Sequence, residues 1–133
     1  MNKKYLAKII ATDNEGLQVI SACCAGASIK VTDIKYLQKN KVFLISLKRN
    51  KIESKNSSKK VNSVCKFDFV DGVKAKNIRQ DDPKFTLELM AIDHIKNKDN
   101  YEINLIFKNN AYITLSTEII EVKLEDQNEM NKQ

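Results

Sequence analysis

The sequence predicts an α+β domain: a mostly antiparallel sheet of about seven strands, with one helix after the first strand and a second at the C-terminal end. Three observations carry this. Short segments with an apolar residue at every second position recur along the chain. The connections between them are too short for parallel pairing, which needs crossovers of about a dozen residues. Helical spacing is confined to residues 13–25 and to the region of Ile120 and Leu124. With 133 residues, 42 % of them hydrophobic, the chain suffices for one two-layer core and not for two. A single domain is expected over 1–126, with a frayed tail over 127–133.

Each element follows from local pattern. Tyr5 to Ala11 reads as the first strand, and Thr12-Asp13-Asn14-Glu15 then has the Thr-x-x-Glu form of a capping box. Leu17, Ile20 and Cys24 make the apolar stripe of the helix that follows, and Gly26 stops it. Ile29 and Val31 alternate with polar residues, the pattern slips at Asp33, and Ile34 and Tyr36 resume it, as in a bulged strand. Lys39-Asn40-Lys41 is a turn into a partner strand with Phe43, Ile45 and Leu47 on one face. Lys51 to Ser63 has no period and reads as a loop.

Val64 to Ile78 is strand-like, with Asp71-Gly72 either a hairpin turn or a kink. After the breaker Gln80-Asp81-Asp82-Pro83, the segments Phe85–Ile95, Tyr101–Phe107 and Tyr112–Leu115 form a three-strand meander. Ser116 or Thr117 is placed to cap a closing helix through Ile120 and Leu124. A sheet of this kind, curled into a partial barrel with the last helix across one end, resembles a pleckstrin-homology-like fold carrying an extra helix.

Composition narrows the function classes. No apolar run approaches the 18 residues of a membrane span. The basic start and Ile20-Ser21-Ala22-Cys23 mimic an export signal, but Lys8, Asp13, Asn14 and Glu15 interrupt the apolar stretch it requires. A cytoplasmic location is expected. Cys23, Cys24 and Cys65 include no CxxC pair and read as buried thiols in a reducing compartment. Residues 1–60 hold 13 Lys and Arg against 4 acids, whereas residues 61–133 hold 10 against 13. One half is basic and the other mildly acidic.

Several segments together, IIATDNEGLQVI (9–20), VTDIKY (31–36), VFLISLKR (42–49), CKFDF (65–69) and the end 119–124, resemble a bacterial family. It is seen mainly in alphaproteobacteria and designated domain of unknown function 2948. The resemblance spans about residues 5–125. Where the family usually carries aromatic residues after the Arg, this chain has Asn50, Lys51 and Ile52. The resemblance implies a compartment and no activity.

No catalytic constellation is expected. His94, the single histidine, lies in a strand pattern beside Asp93, and Cys65 alternates with Phe67 and Phe69 toward the core, where a thiol is inert. Asp81-Asp82 and the pair Asp68 and Asp71 sit at breakers, where Asp is favoured for turn hydrogen bonding. Three glycines and no Gly-rich loop exclude a phosphate cradle, and one His with scattered Cys gives no metal spacing. No cofactor is expected. The remaining candidate surface is basic: Lys39, Lys41, Lys48, Arg49, Lys51, Lys55, Lys59 and Lys60, on one hairpin and its loop. The leading expectation is a non-enzymatic accessory domain that binds a cytoplasmic protein through this handle and an uncovered sheet edge. RNA or DNA binding by the same segment is the alternative, and a small enzyme the third.

Overall fold

The computed structural model describes residues 6–50 and 60–127. Ten strands and one α-helix follow in the order β1 (Lys8–Ala11), α1 (Asn14–Cys24), β2 (Ser28–Lys30), β3 (Ile34–Leu37), β4 (Val42–Asn50), β5 (Lys60–Phe67), β6 (Val70–Lys76), β7 (Thr86–Lys96), β8 (Tyr101–Phe107), β9 (Ala111–Thr117) and β10 (Val122–Asp126). All pairings are antiparallel, in one sheet ordered β1-β10-β5-β4-β2-β7-β8-β9-β6, with β3 on β4 beside β2.

The single helix starts one residue later than the capping box implies. The Asp13 carboxylate, rather than the Thr12 hydroxyl, accepts from the Gly16 N–H at 2.8 Å. Leu17, Ile20 and Cys24 are buried as the periodicity requires. Gly26, at φ 84°, makes the left-handed exit that glycine allows at no steric cost, and its N–H donates to the Leu89 carbonyl of β7.

The sheet curls so that its two halves face each other. Phe43, Ile45, Cys65 and Phe67 from one half meet Leu89, Ile103, Leu105 and Leu115 from the other, and Leu17 and Ile20 of the helix join this core. Phe43 and Phe67 pack edge to face with ring centroids 6.0 Å apart. Each fully buried Leu, Ile or Phe contributes about 1.5–3 kcal/mol relative to exposure, so this stripe pattern is what drives the curl.

The C-terminal helix is overturned. Residues 122–126 are a strand inserted between β1 and β5, with Leu124 opposite both Ile9 and Cys65. A spacing of four between Ile120 and Leu124 suits a strand as well as a helix, and Val122 and Asp126, also buried, show that the period is two. The sheet therefore has more strands than expected, and the pleckstrin-homology-like comparison loses the end helix on which it rested.

Other departures are local. Lys60 to Ser63, expected in a loop, open β5, because Val61 and Ser63 both point inward. The chain bends at Asp68-Phe69, not at Asp71-Gly72. Phe69 lies at φ 60° there, and the residues 70–72 form a bulge against β9. β5 and β6 are thus two arms of one bent segment and not a hairpin. The slip at Asp33 is a full turn of 3-10 helix, Val31–Asp33, which separates β2 from β3. The β7–β8–β9 meander stands as expected, with Asn109 and Asn110 both at positive φ in the three-residue turn, 108–110, that joins the paired Phe107 and Ala111. At the C-terminal end the Gln127 N–H still donates to the Asn62 carbonyl, and the rest of the expected frayed tail lies outside the described residues.

Candidate functional site

The basic candidates do not form one surface. Lys39 and Lys41 occupy the β3–β4 turn, whereas Lys48 and Lys60 are exposed toward the far end of β4 and at the start of β5. Seven residues of extended chain separate Lys41 from Lys48, about 23 Å. Lys41 is ion-paired to Asp71 at 3.0 Å, and the hydrogen bond and charge of that carboxylate raise its pKa. Lys51, Lys55 and Lys59 lie outside the described residues.

Arg49 is a plain correction. It is fully buried, one of the largest side chains in the core. Its Nη2 meets Asp126 Oδ2 at 3.0 Å, its Nε contacts Asp126 Oδ1 and Ser63 Oγ, both at 3.2 Å, and Nη1 donates to the Asn50 carbonyl. Ser63 Oγ donates to Asp126 Oδ1 at 2.6 Å, and the Ala7 N–H donates to Asp126 Oδ2. The group is a structural clasp joining β4, β5, β10 and the entry to β1. Strict alternation in VFLISLKRN already places Arg49 on the face of Phe43, Ile45 and Leu47, and that phase was the available signal.

The remaining reactive groups are also accounted for. Cys65 is fully buried, and burial pushes its thiol pKa up; Cys24 rises to about 12, chiefly from burial, with Cys23 adding to it. His94, half-buried on β7, packs against Tyr101 with ring centroids 5.9 Å apart and planes tilted by 51°, and β4 and β2 stand between β7 and the strand that carries Cys65. Asp82 accepts from the Lys84 N–H in its turn, and Asp68 pairs with Lys66. Among the described residues, no three His, Cys, Asp or Glu side chains gather as a metal site, and no helix is long and apolar enough to cross a membrane.

What the fold does build is a seam. β2 is paired on both sides, by β4 and β7, but the 3-10 turn at Val31–Asp33 diverts the chain, so β3 pairs with β4 alone. At the other end of the sheet, β6 pairs only with β9. The curl brings these two edges to the walls of one groove. Its near end is pinned where the Val70 N–H donates to the Lys41 carbonyl at 2.8 Å and the Tyr36 hydroxyl donates to the Val70 carbonyl at 2.9 Å. From there the groove, about 310 Å³, runs between Ile34 and Tyr36 on one side and Val73 and Ala75 on the other, to Ile78 and Gln80.

The apolar side chains of this groove point inward by register yet are not covered. Ile34 and Val73 are half-buried and Ala75 is exposed, whereas their register partners Ile45, Leu115 and Ile113 are buried. Unpaired N–H and C=O groups on an edge strand are a template for another strand. Beside them stand exposed lysines: Lys35 on β3, and Lys74 and Lys76 on β6.

A second hollow, about 530 Å³, lies on the outer face of β2, β4 and β5, with Ser28, Lys30, Asp33, Ser46, Lys48 and Asn62 among its lining residues. Near it, Lys35, Leu44, Lys66 and Lys123 fall in one cross-strand row. The row draws its cations from both halves of the sequence, and one of them, Lys66, is paired with Asp68 at 3.6 Å.

Against family models, the one described as "Protein of unknown function (DUF2948)" matches residues 7–133. No curated protein and no solved structure matches the chain.

Proposed function

The chain belongs to the DUF2948 family, proteins of unknown function, and from the open seam of its sheet we infer that it is a non-enzymatic protein-binding module that receives an extended segment of its partner beside β6. The observation that carries this is the pair of unpaired edges, β3 and β6, facing each other across an apolar groove. Strand addition uses main-chain hydrogen bonds for affinity and side-chain pockets at alternate positions for specificity, and the seam offers both. The burial of Cys24 and Cys65 supports the non-enzymatic part, because a thiol whose pKa is raised to this extent is a poor nucleophile.

The test is affinity purification of the full chain from its native lysate with three baits: wild type, Ala75→Trp, which fills the groove with neutral bulk, and Lys48→Glu on the outer face. A stoichiometric protein held by wild type and by Lys48→Glu but lost from Ala75→Trp is the expected result. Retention by Ala75→Trp, or no stoichiometric protein with any bait, overturns the reading.

The Lys30 and Lys48 hollow and the lysine row beside it favour one second reading, binding of single-stranded RNA across the outer face. Phosphate contacts make such binding fall steeply with salt. It predicts a gel shift abolished by Lys48→Glu with Lys66→Glu and untouched by Ala75→Trp.

A further inference from the structure

We propose that the segment the seam accepts is acidic, with apolar residues alternating with Asp or Glu, a chemistry that rests on the strand-addition reading above. The alternation follows from register. A strand laid beside β6 places every second side chain inward, next to Val73 and Ala75 and facing Ile34 and Tyr36 across the groove. Val73 and Ala75 leave space for aliphatic side chains of Val or Ile size, and the groove has no charged residue in its lining.

The intervening side chains point outward, and there the seam is walled by cations. Lys74 and Lys76 are the outward residues of β6, opposite Thr114 and Tyr112 of β9. Lys35 is the outward residue of β3, opposite Leu44. All three are exposed, and none has an ion pair among the salt bridges of the described residues. The nearest acid on β6, Asp71, is already matched to Lys41. Asp33 precedes β3 and Asp81 and Asp82 follow Gln80 at the far end, while Glu118 acts with Asp71 on Lys41 at the near end, so the acids stand at the two ends of the groove. An incoming carboxylate between these strands gains opposite-charge neighbours on both sides, whereas an incoming lysine meets like charge directly opposite, which destabilises. The cation wall thus selects among sequences that the apolar groove alone would accept equally.

The experiment titrates the full chain into three fluorescein-labelled octapeptides that alternate Val with Glu, Val with Ser and Val with Lys, read by anisotropy. The Val/Glu peptide is expected to bind at least about tenfold more tightly than Val/Ser, with Val/Lys weakest, the preference shrinking as salt screens the exposed charges. Lys74→Glu with Lys76→Glu, both exposed and safe for folding, should invert the order, while Lys123→Glu on the outer face should not. Equal binding of Val/Glu and Val/Ser overturns the acidic preference and leaves strand addition standing. Binding of all three peptides that survives Ala75→Trp unchanged, or no binding of any at about 1 mM, a free energy of only about −4 kcal/mol, overturns both.

Discussion

The Arg49 guanidinium and the Asp126 carboxylate meet at 3.0 Å with both side chains wholly inaccessible, although 77 residues separate them in the chain. A buried pair is costly to assemble, but removing one partner strands the other charge in the core, at about 3–5 kcal/mol. Asp126→Ala is therefore expected to lower stability by that amount in urea unfolding. Arg49→Met with Asp126→Leu should lose much less than the sum of the single changes. Additive losses would show that the two groups do not act as a pair.

Gly16 gives a substitution whose sign runs against helix propensity. Alanine there should gain up to about 1 kcal/mol as a helix residue. Its Cβ, however, would stand 2.9 Å from Ala11 Cα and 3.0 Å from Ala11 Cβ, where α1 crosses β1. Overpacking of this kind costs about 1–3 kcal/mol. Gly16→Ala should lower Tm, and an unchanged or higher Tm would mean that β1 yields freely.

Alkaline pH should unfold the protein through Cys24. Its thiol pKa is raised from 9.0 to about 12 in the folded chain. Above pH 9 the unfolded chain releases this proton and the folded chain holds it, so the stability is complete below pH 9 and falls as pH climbs toward 12. Urea midpoints measured from pH 8 to 11 should decline, and Cys24→Ala should flatten part of the slope. In the native state at pH 8, Cys24 and Cys65 should not react with a thiol reagent.

The seam predicts uneven protection from hydrogen exchange. Amides of β3 and β6 that face the groove should exchange orders of magnitude faster than those of β4, β5 and β8, which are paired on both sides. Uniform protection across β6 would show that its edge is covered in solution.

The fold was legible where alternation was long and its phase unambiguous. The β7–β8–β9 meander, the β3–β4 hairpin and the helix stripe of Leu17, Ile20 and Cys24 could all be read, because burial enforces the period. It was not legible at Ile120 and Leu124, where a spacing of four satisfies both periods, nor at Lys60–Ser63, where the polar inward Ser63 is satisfied by Arg49 and Asp126 from two other strands. Charge was the weaker guide to the site. Arg49 looked like a surface cation because the carboxylate that neutralises it is 77 residues away. The seam itself needs the curl of the whole sheet, which juxtaposes Tyr36 and Val70, and nothing local encodes that meeting.

The place of β10 carries a consequence for biosynthesis. It lies between β1 and β5, yet it leaves the ribosome after both of them and after every other strand of the sheet. Until residues 122–126 emerge, β1 has no strand partner and β5 offers an open edge, while Arg49 waits without the carboxylate it will hold. The nascent chain thus passes through an interval in which the β5 edge that β10 will fill is open to whatever binds extended chains.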